Sequence, residues 1–431
     1  MILQRSARTN IFMAMAAKLL SMGVAVLSVP LMLGLLGTQN YGTWVTLTSL
    51  IAFISILDLG VGNSVRNSVS ALDTDAQDSV RTEFVGFFQL LCFVALICLM
   101  LLAVAMDFIP LLSENRYAAA LLYGPPLLLL PLLLGSNVLQ GARATGLQSV
   151  LQSANSWIFF AVVLALAALK ITPTLLHLAI TWSALYAVVL GVTFLLALRT
   201  VQVPMHGLFR WSFGALPAGR MKVGVEFLAL QLTSLVLYSL GNAIIFNQLG
   251  ATEVARYDVL NKIFQVGLSF YTVVIGVMWS EISKHRSTGD PVALLRTLRR
   301  LATISIAFTA ACAGGAFVAP TLIDLWTQHR LQVTLLESFI VAALVSVQSI
   351  AYVGAVFMNA FEQIRIQVLL GCVSIVLMIP LSLLLINQGL GIAGVPLAAL
   401  TLTVLPAIVC NRAALRLIAS LAPQSPQQAK P

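Results

Sequence analysis

Charge is what this sequence lacks most. Asp, Glu, Lys and Arg make up 9% of its 431 residues, where a soluble globular domain holds ~25%, and that scarcity excludes an ordinary water-soluble globule. Histidine is rare as well. His177, His206, His285 and His329 lie near loops or helix ends, no spacing gathers them as metal ligands, and no metal site is expected. The five cysteines, Cys92, Cys98, Cys312, Cys372 and Cys410, all fall within apolar stretches, without the paired spacing of a zinc site or the loop positions of a disulfide framework. They read as small core residues. No polar stretch is long enough to form a separate domain. The excess of 24 Lys and Arg over 15 Asp and Glu, a net +9, would raise the question of nucleic acid in a soluble protein. Here it reports membrane orientation, and no nucleic-acid partner is expected.

What is present is apolar: 59% hydrophobic residues and a mean hydropathy of +0.98. A bilayer core of ~30 Å takes roughly 20 helical residues at a rise of 1.5 Å each, and about twelve such spans fit in the chain. Arg5 and Arg8 precede an apolar run from Ile11 to about Leu36, too long for a cleaved signal peptide, so it is expected to stay as the first helix. Further spans are expected at about 41–65, 84–106, 118–140, 150–169, 174–198, 224–247, 257–280, 298–320, 334–358, 366–387 and 391–411. Lys and Arg concentrate on the cytoplasmic side of membrane proteins. Eighteen fall on the side of the termini and alternate loops, four on the other side (Arg116, Lys170, Arg256, Arg330), and Lys18 and Lys262 lie inside spans. Both termini are therefore expected in the cytoplasm. A basic connector, 201–223, containing Phe209, Trp211 and Phe213, suits either a segment lying on the inner headgroup layer or a solvated link. It divides an N-lobe (1–200) from a C-lobe (224–418), and a Pro- and Gln-rich tail follows from 419 to 431.

Two weak repeats support that division. Leu36-Gly37 followed by Tyr41 matches Leu249-Gly250 followed by Tyr257, and LQGARATGLQ (139–148) matches MNAFEQIRIQ (358–367). Displacements of 213 to 219 residues carry the chain forward six spans, an even number. The expected fold is therefore all-α, with about twelve transmembrane helices in two six-helix lobes related by a pseudo-two-fold axis along the membrane normal, an arrangement of secondary transporters.

Charged groups inside hydrocarbon cost at least ~2.5–3.5 kcal/mol each on insertion scales, so they face a bundle interior or a wet cavity. Asp258, Lys262, Gln265, Ser269 and Thr272 recur at helical spacing on one face of the eighth span. Gln231, Ser234, Tyr238 and Asn242 do so on the seventh, and Lys18, Ser21 and Ser28 on the first. The second carries Thr48, Ser55 and Asp58. Depth along the helices allows Lys18 to pair with Asp58, while Asp258 and Lys262 can neutralise each other across one turn. Trp44, Trp211, Trp279 and Trp326 lie near span ends and read as interfacial belt residues.

The run LLGTQNYGTWVTLTSLIAFISILDLGVGNSVRN from Leu35 to Asn67 resembles the signature of the polysaccharide-transport branch of the multidrug/oligosaccharidyl-lipid/polysaccharide (MOP) exporter superfamily. Similarity extends loosely over the whole chain through the helix count and the region of Tyr257 and Lys262. Where relatives carry a proline followed closely by serine at the end of the eighth helix, this chain has Trp279-Ser280-Glu281-Ile282-Ser283. The resemblance implies an O-antigen (Wzx-type) flippase, not an enzyme, moving undecaprenyl-diphosphate-linked oligosaccharide across a bacterial inner membrane. A polysaccharide polymerase and a chain-length regulator would be its partners, membrane lipids its surroundings. It implies no cofactor, with coupling to a proton or sodium gradient.

On that basis Lys18 and Lys262, from different lobes, are the candidates for neutralising the diphosphate, as compact point charges. Arg256 would receive the headgroup at the outer mouth. Gln231, Tyr238, Asn242 and Gln265 would line the glycan cavity, and Asp58, Glu226 and Asp258 are the acids to test for ion linkage. A multidrug exporter of the same superfamily would favour carboxylates in its pocket. A membrane glycosyltransferase, polymerase or ligase would need acidic, arginine or histidine residues on a substantial outer loop, and no outer connection is expected to exceed about twenty residues.

Overall fold

In hydrocarbon no water satisfies the backbone, so a chain this apolar must close its hydrogen bonds within each segment. A computed structural model of the chain describes residues 7–70, 77–209, 218–361 and 363–421. Among the described residues the structure is all-α, without a strand, and the chain is a multi-pass membrane protein. Part of the expected basic connector and nearly all of the expected tail lie outside the described residues.

Nine helical stretches among the described residues are long and apolar enough to cross a bilayer. A tenth is formed by two helices, Arg116–Leu128 and Leu130–Gly141, bent by 59°. Two of the nine, Thr9–Asp58 and Arg365–Ser420, are 50 and 56 residues long, far more than a ~30 Å core requires. Each is interrupted by glycines of positive φ, Gly37 (φ 73°) in the first and Gly389 and Gly391 (φ 88° and 54°) in the second. Counted as two crossings each, they bring the total to the expected twelve.

The chain forms two compact units, Met1–Leu232 and Thr233–Pro431, divided within α9 (Ala218–Tyr238). The first unit holds α1 (Ala7–Leu50), α2 (Val61–Ser70), α3 (Gln77–Phe108), α4 (Pro110–Glu114), α5 (Arg116–Leu128), α6 (Leu134–Gly141), α7 (Thr145–Ala168) and α8 (Leu175–Val201). In it α1 lies along α7, and α8 packs on α5 and α6. The Tyr123 hydroxyl donates to the Leu47 carbonyl at 2.7 Å and ties α5 to α1.

The second unit holds α10 (Gly241–Leu249), α11 (Ala251–Ser287), α12 (Pro291–Trp326), α13 (Leu335–Ala360), α14 (Arg365–Leu385) and α15 (Gly394–Ser420). Its axis is α13, packed against α11, α12 and α15. A Cβ on Gly354 would come within 2.5 Å of the Asn411 backbone nitrogen, so only glycine lets α13 and α15 approach so closely. The Tyr271 hydroxyl lies 2.7 Å from Ser305 Oγ and donates to the Ser349 carbonyl at 3.0 Å, joining α11, α12 and α13.

The repeat has a backbone counterpart. Gly37 (φ 73°, ψ 172°) and Gly250 (φ 90°, ψ 172°) take the same rare conformation, a region essentially closed to other residues, and each precedes the tyrosine of its motif. The second motif pair straddles the connection from α6 to α7 in one unit and from α13 to α14 in the other.

Four details differ from expectation. The seventh span is broken at Ser239-Leu240, which parts α9 from α10. The second span turns from α1 into a 3-10 helix, Ile51–Asp58, and ends in the left-handed Leu59 (φ 52°) before α2. Trp44 is buried and stacks on Phe159 with centroids 5.7 Å apart, so packing rather than an interface holds it. Of the cysteines only Cys312 and Cys410 are buried, and Cys372 is exposed. An apolar side chain in a membrane helix gains nothing by turning inward, because lipid is as apolar as the core.

Gly37→Ala and Gly250→Ala should each lower the melting temperature of the purified protein, by strain of roughly 1–3 kcal/mol, although a Cβ at either position meets nothing within 4 Å. Gly23→Ala, with equally open surroundings but no positive φ, should leave it unchanged or raise it. Equal melts for all three would contradict this account of the breaks.

Candidate functional site

Breaking a helix frees amides that need acceptors, and Asp58 sits at such a break. It accepts from the Gly60 amide at 2.9 Å and from the Gly62 amide, capping the start of α2. Gly62 leaves no room for a Cβ, which would overlap Asn137 of α6 and Asp58 itself. Asp58 is therefore engaged by its own backbone and not by Lys18, the pairing its depth allowed. Lys18 is exposed on α1. One turn on, Ser21 accepts from Trp157 Nε1 of α7 at 2.9 Å. A carboxylate the sequence reading passed over, Glu83 of α3, is buried and accepts from Ser64 and Ser68 of α2 at 2.8 and 2.7 Å.

The first unit also holds a half-open cavity of about 300 Å³ lined by the 3-10 segment, α6, α7 and α8. Its polar lining includes Ser55, Gln152, Asn155, Ser156, Trp182 and Tyr186, and among the described residues no charged one contributes to it. Trp182 and Tyr186, one turn apart on α8, stack with centroids 5.1 Å apart and planes 13° apart. None of the cavity residues on α7 or α8 was among the expected site residues. Their signal was legible: 152, 155 and 156 share one face of a helix, as do 182, 186 and 193.

In the second unit the α11 stripe forms as expected. Asp258 is buried, and Lys262, Gln265, Ser269 and Thr272 are half-buried. Lys262 Nζ lies 2.5 Å from Asp258 Oδ2, so the ammonium is neutralised across one turn. Ser269 and Thr272 donate to carbonyls of their own helix, those of Gln265 and Ser269. The stripe of the seventh span is divided by its break. Gln231 is exposed on α9, Asn242 half-buried on α10, and the Tyr238 hydroxyl lies 3.3 Å from Thr403 Oγ1 of α15. Glu226 lies on α9, and its side chain is outside the described residues.

Arg256 is committed within its own unit. Its guanidinium contacts Glu253 at 2.5 Å and Glu337 at 3.1 Å, and its Nε donates to the Gln332 carbonyl at 2.8 Å. Glu337 in turn accepts from the Thr334 amide in the capping box that opens α13. The arginine thus ties α11 to the start of α13.

No protein-family model matches the chain. Solved structures match over nearly its whole length. The inward-facing conformation of a multidrug-resistance MATE family transporter of the MOP superfamily gives a TM-score of 0.68 at 14% identity, covering 98% of this chain and all of that one. A MOP superfamily transporter from Pyrococcus furiosus, for which a reversed polarity of the binding pocket suggests a different function, gives 0.66 at 12% identity, with 97% of each chain covered. The fold is that of the MOP superfamily transporters. In sequence, 59 residues are 37% identical to a Salmonella typhi protein named a candidate O-antigen transporter. That stretch spans only 14% of each chain.

Within this MOP fold, Arg256→Ala should cost stability, about 1–3 kcal/mol for charged hydrogen bonds lost to partly exposed carboxylates. Lys262→Ala, which breaks an ion pair within one helix, should cost less. Thermal melts of the detergent-purified variants would check the order, and an Arg256→Ala melt equal to wild type would rule out the tether.

Proposed function

We propose that the chain is a flippase that carries undecaprenyl-diphosphate-linked oligosaccharide from the cytoplasmic to the outer leaflet of a bacterial inner membrane. The observation that carries the proposal is the local 37% identity to a protein named for O-antigen transport, found in a chain with the MOP transporter fold over 98% of its length. The polar chemistry is consistent with it. Lys18 in the first unit and Lys262 in the second lie within membrane-crossing helices, and an anionic diphosphate needs cations at membrane depth.

The ion pair gives the mechanism its form. With Asp258 bonded to Lys262, an arriving diphosphate oxygen must replace the carboxylate at the ammonium. The displaced Asp258 then takes up a proton or sodium ion, and loss of the headgroup restores the pair. Headgroup binding at Lys262 and ion binding at Asp258 are thereby coupled through one ion pair. Asp58 and Glu226 are further candidates for ion coupling. Polymerase and chain-length regulator would act on the delivered product.

A multidrug exporter is the second reading, favoured by the names of the structural neighbours. It is weakened by a cavity in whose lining no described residue is a carboxylate that could hold a cationic drug.

Lys18→Ala with Lys262→Ala should leave an inserted protein that traps lipid-linked glycan in the cytoplasmic leaflet, as measured by glycan accessibility in inverted vesicles. Normal transport by the double variant would remove the diphosphate role. Asp258→Asn should in addition blunt the response of transport to an imposed pH or sodium gradient, with Asp58→Asn and Glu226→Gln as parallel tests. An unchanged response in all three would reject these acids.

A further inference from the structure

Resting on the flippase reading, we infer that the cavity inside the first unit is a site for neutral sugar rings of the transported glycan. Its chemistry separates it from the lysines. Among the described residues none lining the cavity of about 300 Å³ is charged, so its lining does not neutralise a diphosphate or a cationic drug. It does hold an unanswered acceptor: Asn155 is 8% exposed, it lines the cavity, and its Oδ1 is buried without a hydrogen-bond partner.

A buried amide oxygen left unpaired costs ~1–3 kcal/mol, a penalty that a ligand hydroxyl donating to it would remove. Beside it, Gln152 Oε1 already accepts from Gln148 at 2.9 Å, which leaves Gln152 its amide N–H groups to donate. The stacked Trp182 and Tyr186 add flat apolar area. Acceptor, donor and aromatic surface in an uncharged cavity fit a hydroxyl-bearing ring with an apolar C–H face. The volume is at the small end of the ~300–1,000 Å³ of ligand pockets, enough for a ring or two and not for a long repeat unit. The pyrophosphate and the sugars would thus be recognised separately, the one by lysine and the other by neutral hydrogen bonding.

The test uses the full-length chain in membranes of its native host, with a genetically encoded diazirine amino acid at Ser156 in the cavity or, separately, at Gln265 on the α11 stripe. After irradiation, glycan on the protein is read by periodate oxidation and hydrazide staining. A glycan adduct at position 156 is expected. Adding Asn155→Leu or Trp182→Ala should reduce it about tenfold, the effect of one lost hydrogen bond or aromatic contact, while the adduct at 265 persists. Should Asn155→Leu fail to fold, Trp182→Ala and Gln152→Ala carry the comparison. A glycan adduct at 265 but none at 156 overturns the inference and leaves the flippase standing. An adduct at 156 indifferent to all of these substitutions overturns it as well. Absence of glycan at both positions rejects the flippase reading and the inference with it.

Discussion

A backbone that crosses hydrocarbon must satisfy itself, and wherever it stops being helical something in the protein has to take over. That constraint explains where this chain places its unusual residues. The second span loses its α-helical ladder between Ile51 and Gly60, and Asp58 supplies the acceptor for the amides of Gly60 and Gly62. Gly37 and Gly250 change direction at a φ and ψ that a side chain would oppose. The 3-10 segment that results from the first of these irregular stretches also forms one wall of the cavity. An intact α-helix there would present other residues to that space.

Charge obeys the same logic. In the second unit Lys262 pairs with Asp258 one turn away, while Arg256 pairs with Glu253 on its own helix and with Glu337 of α13. Held in this way a lysine and an aspartate carry no net charge into the membrane, which lowers the cost of keeping them there. The pair still contains a cation that a stronger anion can claim. Arg256, with two carboxylates and a carbonyl, has more to lose and serves architecture. Equal charge in the sequence thus becomes unequal availability in the fold.

The two units also differ in where their polarity lies. In the first it surrounds an open space lined by Gln152, Asn155 and the aromatic pair of α8. In the second it is largely closed up between helices, as where Tyr271 reaches Ser305 and Ser349.

Membrane class and the number of crossings were legible in the residues alone, because a 30 Å layer of hydrocarbon demands runs of a set length and composition. The α11 stripe was legible too, since Asp258, Lys262, Gln265, Ser269 and Thr272 follow the period of a helix. The fate of single side chains was not. Trp44 is packed in the interior, Cys372 is exposed, and Asp58 turned to its own backbone when the helix broke. Composition determined that this chain lives in a membrane and roughly how many times it crosses. Only the tertiary structure decided which polar groups are spent on the protein and which, like the Asn155 oxygen, still lack a partner. Hydrogen bonds and ion pairs depend on distances of a few ångströms between segments far apart in sequence, and periodicity along one helix carries no information about its neighbours.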